Sequence, residues 1–556
     1  MNISSLMHLG TPLPRWKRGP FKLLTLLALV AFPAGVPKCA ESLMPLGPVA
    51  KTATGSVLGA TERGILVFRG IRFAAPPVGS LRFRPPVSPS SWTGVEPALD
   101  FAPACPQLVE IDPTENNNSV MAEDCLAVNV WTPRTDQTKR PVMVWIHGGG
   151  FISGSARNTW YDGAALAARG NVVVVTLQYR LGAWGFLDLS KIGGKDYYES
   201  GNLGLLDQVA ALEWVRRNID FFGGDPNNIT LFGQSAGAGS VGMLITVTAA
   251  RGLFQKAILE SGTPKEVNES RRAIEVAEAF MKIAGANNVE ELRTLKMTQL
   301  RDAQKRLLEQ MGYSAFRPVI DGAVLKEPPM QAIAAGHATY VPLLLGTNAD
   351  EIRLWSGAYD LPIDQMPLDA FETQLTTIVG ERAHRAVKTY RADEADDGDT
   401  IVHLIGDLLM RMPAIRLAEM NGRHAPTYMY EFTYHSTSSY KKFESAHGME
   451  VPFVFGTTDN PEVIVFTGRS PVKDALTEQM QQFWSDFART GNPSNSRVPW
   501  PKYDETARET MRLGVSRALV SDPGAEQRNV WEGLVFDGTT PNSGNIWQLM
   551  FSSIAH

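Results

Sequence analysis

The sequence predicts an α/β fold with one large, mostly parallel sheet, and two patterns lead to that prediction. Short apolar runs alternate along the chain with segments of helical spacing or composition. The runs are rich in β-branched residues and show no alternation of apolar and polar positions, which is typical of strands covered by helices on both faces. In chain order, the five predicted strands are 142–146, 172–177, 229–232, 256–261 and 341–345.

Helical segments separate these strands. The segment 162–169 has helical composition, 205–219 carries apolar residues at helical spacing, and a further helix is expected from Ala236 onward. The region from about 266 to 425 is richer in helical patterns and is predicted to be an insertion over the sheet. Because no internal repeat and no Gly/Ser-rich linker divides the chain, residues 41–556 are predicted to form a single domain.

The first part of the chain is predicted to be a secretory signal, residues 1–40. A basic stretch over 15–22 precedes a nearly all-apolar run over 23–32. This run is shorter than the roughly 20 apolar residues that a membrane-spanning helix needs. Cleavage is expected between residues 34 and 40, and the mature protein is expected to be secreted or periplasmic. The alternative interpretation is a buried first helix.

The composition is that of a globular protein and excludes several classes. The 556 residues are 44% hydrophobic and 20% charged, which disfavours disordered, collagen-like and coiled-coil chains. The 53 basic and 58 acidic residues give a formal charge of −5 and leave no electrostatic footprint for nucleic acid. No apolar run after residue 40 has the length of a transmembrane segment. The acidic run 393–399 is predicted to be a solvated loop tip. No pattern in the sequence predicts an oligomeric state.

Three cysteines are too few for a disulfide-dense scaffold, but export would allow one bridge. Cys39 lies close to the predicted processing site, which leaves Cys105 and Cys125, 20 residues apart. Closing a loop of that size contributes about 3 kcal/mol to stability in the chain-entropy model. We therefore predict a disulfide between Cys105 and Cys125, and two buried free thiols are the alternative.

A nucleophilic serine is predicted at the turn after the strand 229–232. The sequence there is Gly-Gln-Ser-Ala-Gly, residues 233–237, and a helical segment follows. A serine in such a strand–turn–helix setting projects out of the backbone, and the two glycines keep neighbouring chain away from it. The N-terminus of the following helix directs free N–H groups and a positive dipole at developing negative charge. Ser235 is therefore a candidate nucleophile, and an ordinary loop serine is the alternative.

A second motif, His-Gly-Gly-Gly-Phe at 147–151, directly follows the strand 142–146. Three consecutive glycines are costly in backbone entropy, so a close approach of the backbone to another group is expected there. In an acyl-transfer site, their N–H groups can stabilise the oxyanion of a tetrahedral intermediate. A phosphate-binding loop is disfavoured because neither a G-K-[ST] ending nor a G-x-G-x-x-G register is present. His147 precedes Ser235 in the chain and is expected to order the glycine loop.

Together these motifs resemble the type-B carboxylesterase (cholinesterase-like) family of α/β-hydrolases. The resemblance extends to Phe-Arg-Gly-Ile at 68–71, Ala-Ala-Pro-Pro at 74–77, Glu-Asp-Cys-Leu at 123–126, Gly-Gly-Asp-Pro-Asn at 223–227 and the stretch 484–493. It covers almost the whole chain after the predicted signal. It implies the α/β-hydrolase fold, with a large, mostly parallel, twisted sheet and helical insertions over the active site, and it implies serine ester hydrolysis.

The resemblance also implies a base and an acid, since the family has the chain order serine, acid, histidine. His447, in Ser-Ala-His-Gly-Met-Glu at 445–450, resembles the family's histidine loop and is expected to be the general base. The acid is expected just after the strand 341–345. There the family pattern favours Glu351, and the adjacent Asp350 is the alternative.

By the same resemblance, the N–H groups of Gly149, Gly150 and Ala236 are expected to form the oxyanion hole. The resemblance implies no cofactor. No metal is expected either, because the sequence carries no H-E-x-x-H or comparable ligand motif.

Two departures from the cholinesterases of this family bear on the substrate. The residue before the candidate nucleophile is Gln234, where cholinesterases have an acidic residue, and no tryptophan lies between Cys105 and Cys125. The cation–π site for a quaternary ammonium group is therefore expected to be missing. The sequence thus predicts a secreted hydrolase of neutral esters, either small-molecule or polymeric. A binding module that has lost catalysis, a lipase and an amidase are the alternatives.

Overall fold

The computed structural model describes residues 47–108, 120–439 and 442–537. The predicted secretory signal, residues 1–40, lies outside these residues. Export and the predicted start of the domain at residue 41 therefore stay predictions.

Sixteen strands occur in the described residues, most of them in one central sheet. They are β1 (Val49–Lys51), β2 (Ser56–Leu58), β3 (Ala60–Glu62), β4 (Ile65–Arg72), β5 (Val95–Pro97), β6 (Ala127–Thr132), β7 (Arg140–Ile146), β8 (Val173–Leu177), β9 (Gly224–Gln234), β10 (Lys256–Glu260), β11 (Asn268–Glu269), β12 (Val319–Ile320), β13 (Leu343–Asn348), β14 (Thr427–Phe432), β15 (Glu509–Leu513) and β16 (Ala518–Ser521).

The central sheet has eleven strands in the order β16-β15-β14-β13-β10-β9-β7-β8-β6-β4-β3. From β15 to β8 every neighbouring pair is parallel, and the strands at both edges pair in the antiparallel sense. The five predicted strands correspond to β7, β8, β9, β10 and β13, which are all in the parallel part. The sequence prediction of a mostly parallel sheet is therefore confirmed. Two small sheets, β1-β2-β5 and β11-β12, complete the strands.

The helices connect and cover these strands. They are α1 (Ala164–Gly170), α2 (Gly182–Phe186), α3 (Ser190–Gly193), α4 (Leu203–Asn218), α5 (Ala236–Leu244), α6 (Ser270–Ala284), α7 (Val289–Thr294), α8 (Met297–Met311), α9 (Pro329–Ala335), α10 (Arg353–Ala358), α11 (Leu368–Val379), α12 (Arg382–Arg391), α13 (Asp397–Gly406), α14 (Met412–Gly422), α15 (Val451–Phe455), α16 (Pro461–Thr467), α17 (Lys473–Thr490) and α18 (Ala525–Val530). The region 266–425 contains α6 to α14, together with the sheet strand β13.

The central strands are buried on both faces, which explains their lack of alternation. Every residue of β7 and β8 is buried. Val144 packs in one apolar cluster with Val241 of α5, whereas Trp145 packs in the cluster on the other face with Trp484 of α17. Helices thus cover both sides of the sheet.

Cys105 and Cys125 form the predicted disulfide, with their Cα atoms 5.2 Å apart. Over the ranges that the structure describes, no helix combines the length and the apolar character needed to cross a membrane. The parallel strand β9 ends at Gln234, directly before Ser235, and the parallel strand β13 ends at Asn348, three residues before Glu351. Since the carboxyl ends of parallel strands lie at the same edge of a sheet, the fold brings these two segments to one edge.

Candidate active site

Ser235 lies at the turn between β9 and α5, in a backbone conformation that few residues adopt. Its φ is 58° and its ψ is −125°, which is a strained conformation for a residue with a side chain. Its N–H donates to the carbonyl oxygen of Glu260 at 2.9 Å, and its own carbonyl accepts from Gly239 N–H at 2.9 Å. A Cβ on Gly237 would clash with the carbonyl oxygen of Ile146 at the end of β7. The motif glycine therefore lets helix α5 pack directly against the sheet.

The glycine loop lies against Ser235. A Cβ built on Gly148 would be 3.1 Å from Ser235 Cβ, so the two segments are in direct contact. Gly149 and Gly150 have φ values of 104° and 60°, which turn the chain beside the serine. Within the described part of the chain, no group accepts a hydrogen bond from the N–H of Gly149, Gly150 or Ala236. Three N–H groups near the serine are therefore available to an anionic oxygen.

The buried side chain of His147 contacts this glycine loop and stabilises its conformation. Its ring is fully buried, stacks on Tyr179 at a centroid distance of 4.5 Å and donates from Nδ1 to the carbonyl oxygen of Gly148 at 2.9 Å. The Tyr179 hydroxyl donates to the carbonyl oxygen of His147 at 2.9 Å. Burial lowers the pKa of His147 to about 4, so the ring is neutral at neutral pH. These contacts fit the predicted ordering role.

Glu351 and His447 are brought together in a buried hydrogen bond. His447 Nδ1 donates to Glu351 Oε2 at 2.6 Å, and the backbone N–H of His447 donates to the carbonyl oxygen of Glu351 at 3.1 Å. The other carboxylate oxygen, Glu351 Oε1, accepts from the N–H of Asn348 at 2.9 Å. The carboxylate is thus fixed by β13, and it fixes the imidazole in turn.

The remaining nitrogen of His447 is free to act on another group. No described residue forms a hydrogen bond with His447 Nε2, Ser235 Oγ included. The histidine loop nevertheless lies beside the serine turn, because a Cβ on Gly448 would be 3.6 Å from Nε2 of Gln234. Hydrogen bonds between a catalytic serine and its base are often long without substrate and tighten in the substrate complex.

Asp350, the alternative acid, is engaged on the other side of the loop. Its Oδ1 accepts from Nε2 of His403 at 2.8 Å, and its Oδ2 accepts from the N–H of Ser445 at 3.0 Å. Nε2 of His435 lies 3.5 Å from the same Oδ2 atom. Of the two adjacent carboxylates, Glu351 is the one that contacts His447.

The sequence analysis missed the charged residues that hold this loop. His403 also donates from Nδ1 to Glu394 at 2.6 Å, and the buried Arg353 pairs with Asp364, Glu444 and Asp399. The prediction that 393–399 is a solvated tip is therefore wrong for Glu394 and Asp399. The Glu394 carboxylate binds the ring of His403, and the Asp399 carboxylate binds the guanidinium of Arg353. The acidic run itself was the only signal in the sequence, since His403 lies 9 positions from Glu394 and Arg353 lies 46 positions from Asp399.

His403 gives the first testable prediction, a pH-dependent contribution to stability. Burial opposes its charge, but the hydrogen bonds and charges of Asp350 and Glu394 outweigh burial and raise the pKa of His403 to about 10. A raised pKa stabilises the fold fully below the unfolded value of about 6.5, and this stabilisation disappears as pH rises through about 10. We expect His403→Gln to lower the free energy of unfolding by on the order of 2 kcal/mol at pH 7, and by less above pH 10.

Urea denaturation of native and variant protein at both pH values checks this expectation. His384→Gln is the matched control, since His384 pairs with Glu372 but its side chain is 79% exposed. A loss of stability that is the same at pH 7 and above pH 10 would contradict the role of charge.

Known carboxylesterases are similar to this chain over most of its length. The profile of the carboxylesterase family matches residues 47–531. A para-nitrobenzyl esterase of Bacillus subtilis is 41% identical over 495 residues, covering 86% of this chain and 97% of the esterase. Carboxylesterase 1E of Rattus norvegicus is 36% identical over 538 residues, covering 87% of this chain and 92% of that protein.

Solved structures give the same result. The carboxylesterase EST55 of Geobacillus stearothermophilus superposes with a TM-score of 0.79 at 35% identity, covering 87% of this chain and 100% of that one. A PNB esterase superposes with a TM-score of 0.77 at 37% identity, covering 87% and 99% of the two chains. The fold is thus that of the α/β-hydrolases, as the sequence resemblance implied. The chain belongs to the carboxylesterase family and is a serine ester hydrolase.

Proposed function

We propose that this carboxylesterase hydrolyses neutral esters through an acyl-enzyme on Ser235, with His447 as general base and Glu351 as the acid that orients it. The observation that carries the proposal is the backbone conformation of Ser235. Its φ of 58° and ψ of −125° are strained values, found at the sharp turn between β9 and α5. Strain of this kind persists where function requires a particular side-chain position.

In the proposed reaction, His447 Nε2 accepts the proton of the Ser235 hydroxyl as Oγ attacks the ester carbonyl. The positive imidazolium that forms is stabilised by Glu351, which already holds Nδ1 at 2.6 Å. The imidazolium then protonates the leaving alcohol. Water attacks the acyl-enzyme with His447 again as base, and the imidazolium returns this proton to Ser235 Oγ as the acid product leaves. Side chains and water carry every proton transfer, so the proposal uses no metal and no cofactor.

The oxyanion of the tetrahedral intermediate would be held by the N–H groups of Gly149, Gly150 and Ala236. Their freedom from other acceptors among the described residues supports this assignment. Ala236 is also the first residue of α5, so its N–H is at the positive end of a helix. Fixed donors of this kind typically contribute about 10²–10³ in rate each.

A preference for neutral esters is supported by the residue beside the serine. Gln234 is 93% buried there and carries no charge, so it offers no anion to a cationic alcohol. The relative from Bacillus subtilis is named for para-nitrobenzyl esters, whose alcohol part is neutral. We propose the same class of substrate for this chain.

We also propose that the protein works outside the cytoplasm. The basic and apolar segment at 15–32 supports export, and the disulfide between Cys105 and Cys125 is of a kind that persists in oxidising compartments.

The proposed chemistry is tested by substrate choice and covalent labelling together. We expect hydrolysis of p-nitrophenyl butyrate, no preference for butyrylcholine over a neutral butyrate ester of similar size, and no effect of EDTA. An organophosphate should add one phosphoryl group, which peptide mapping should locate on Ser235, because it mimics the tetrahedral intermediate. A label elsewhere in the inhibited enzyme would overturn the mechanism, and a strong choline preference would overturn the substrate class.

A further inference from the structure

Two fully buried glutamates, Glu260 and Glu450, interact with each other, and Glu450 also interacts with Glu351 and His447. The proposed mechanism does not use either of them. Glu260 ends β10, where it is the register partner of Gln234 on β9. Glu450 follows His447 by three residues and lies directly before α15. Both side chains are completely inaccessible to solvent.

Each of the two carboxyl groups has one satisfied and one unsatisfied oxygen. Oε1 of Glu260 accepts from Trp484 Nε1 at 2.7 Å, and Oε2 of Glu450 accepts from the side-chain amide of Asn348. The other oxygens, Glu260 Oε2 and Glu450 Oε1, are buried without a hydrogen-bond partner among the described residues. Buried oxygens without a hydrogen-bond partner are rare in native proteins. These two oxygens would be satisfied if they shared a proton or bound the same water.

The charge around the pair is negative or neutral. Within the described ranges, neither glutamate forms an ion pair with a lysine or arginine. The titratable groups that face them are Glu351, His447 and the buried hydroxyl of Tyr430. Two carboxylates that share a pocket without a cation cannot both ionise, because desolvation and repulsion add.

Their titration follows the same physics. Burial and then the charge of Glu450 raise the pKa of Glu260 well above its usual range. Burial and then the charge of Glu351 raise the pKa of Glu450 to about 7, while the Asn348 amide and His447 act in the opposite direction. Glu450 is therefore the more easily ionised member.

We propose that at mildly alkaline pH Glu260 keeps a proton while Glu450 carries the charge, so that the pair places one negative charge, and not two, near the His447–Glu351 hydrogen bond. The unsatisfied oxygens are the atoms that would share the proton, directly or through a water. Glu450 is then a positioning residue, and this inference rests on the proposed role of His447.

Hydrogen bonds of Asn348 link Glu450 to the segments that carry Glu351 and His447. The Asn348 amide donates both to Glu450 and, at 2.8 Å, to the carbonyl oxygen of Ala446, the residue before His447. The backbone N–H of Asn348 donates to Glu351 Oε1. An ionised Glu450 therefore orients the residue that links both members of the pair, and its charge favours the imidazolium formed in the reaction.

Isosteric variants distinguish the roles of Glu260 and Glu450 through the pH dependence of kcat/KM. Glu450→Gln removes the charge, so we expect the acid limb to move down by about half a pH unit or more, and kcat to fall about tenfold with KM unchanged. Glu260→Gln replaces a neutral acid by a neutral amide, so its acid limb should stay where it is. Glu431→Gln is the control, since Glu431 neighbours Tyr430 on β14 and pairs with Arg512 instead.

Infrared difference spectroscopy reads the proton directly and does not need activity. In the Ser235→Ala background at about pH 9, where Glu450 is ionised, we expect a protonated-carboxyl C=O band that disappears on adding Glu260→Gln and persists with Glu431→Gln. An unchanged band, or an acid limb that moves with Glu260→Gln, would overturn the assignment of the proton. An acid limb that stays in place with Glu450→Gln would overturn its positioning role. Full activity of Ser235→Ala would instead overturn the proposed function, and the band would be unaffected by that outcome.

Discussion

Purified Ser235→Ala is expected to hydrolyse a p-nitrophenyl ester about 10⁴-fold or more slowly than the native chain. The reason is that Ser235 Oγ supplies the bond to the acyl group, and no described residue at this turn offers a second hydroxyl in the same position. His447→Ala should lose activity by a similar factor, since the hydroxyl then has no base. Because the two residues act as a unit, the double variant should be scarcely slower than either single one.

The control for this experiment is Ser240→Ala. Ser240 lies on α5, five residues after Ser235, and its hydroxyl accepts a hydrogen bond from the Gln208 amide at 3.1 Å. We expect this variant to keep its activity within a few-fold, and both variants to unfold at temperatures close to that of the native protein. Near-normal turnover by Ser235→Ala, freshly purified and free of native enzyme, would remove the serine from the mechanism.

Local sequence patterns were sufficient to predict the centre of the fold. The strands β7, β8 and β10 each consist of a short buried run, and such runs stand out because both faces are apolar. β9 is longer than its predicted core of 229–232 and begins at Gly224, in the turn region that precedes the apolar residues. Polar strand ends of this kind carry no apolar signal.

Residues that act through distant partners were not predicted. Asp350 and His403 are 53 positions apart, and Glu260 and Trp484 are 224 positions apart. Each looks ordinary in its own segment, and only the packing of the sheet edge gives it a partner. The Glu351–His447 contact also spans 96 positions, and it could be anticipated only through resemblance to a family.

Replacement of Glu351, one of the two adjacent acids, is expected to cause the second large loss of activity. Glu351→Gln is expected to lower kcat by about 10³–10⁴, with little change in KM. A glutamine can hold the ring through its amide, but it carries no charge to stabilise the imidazolium. Its NH₂ group can also turn towards Nδ1 and favour the wrong tautomer of His447. Steady-state kinetics on a neutral p-nitrophenyl ester measures this effect.

Asp350→Asn is the matched variant, since it removes the same charge one residue away. Asp350 binds His403 and the N–H of Ser445, so its loss should weaken the loop and lower the unfolding temperature. Activity at temperatures where the fold persists should stay within about tenfold of the native value, because the contact between Glu351 and His447 is intact. Should Asp350→Asn lose activity a thousandfold while Glu351→Gln stays active, the acid would be Asp350, and the 2.6 Å hydrogen bond of Glu351 would have to be a structural one.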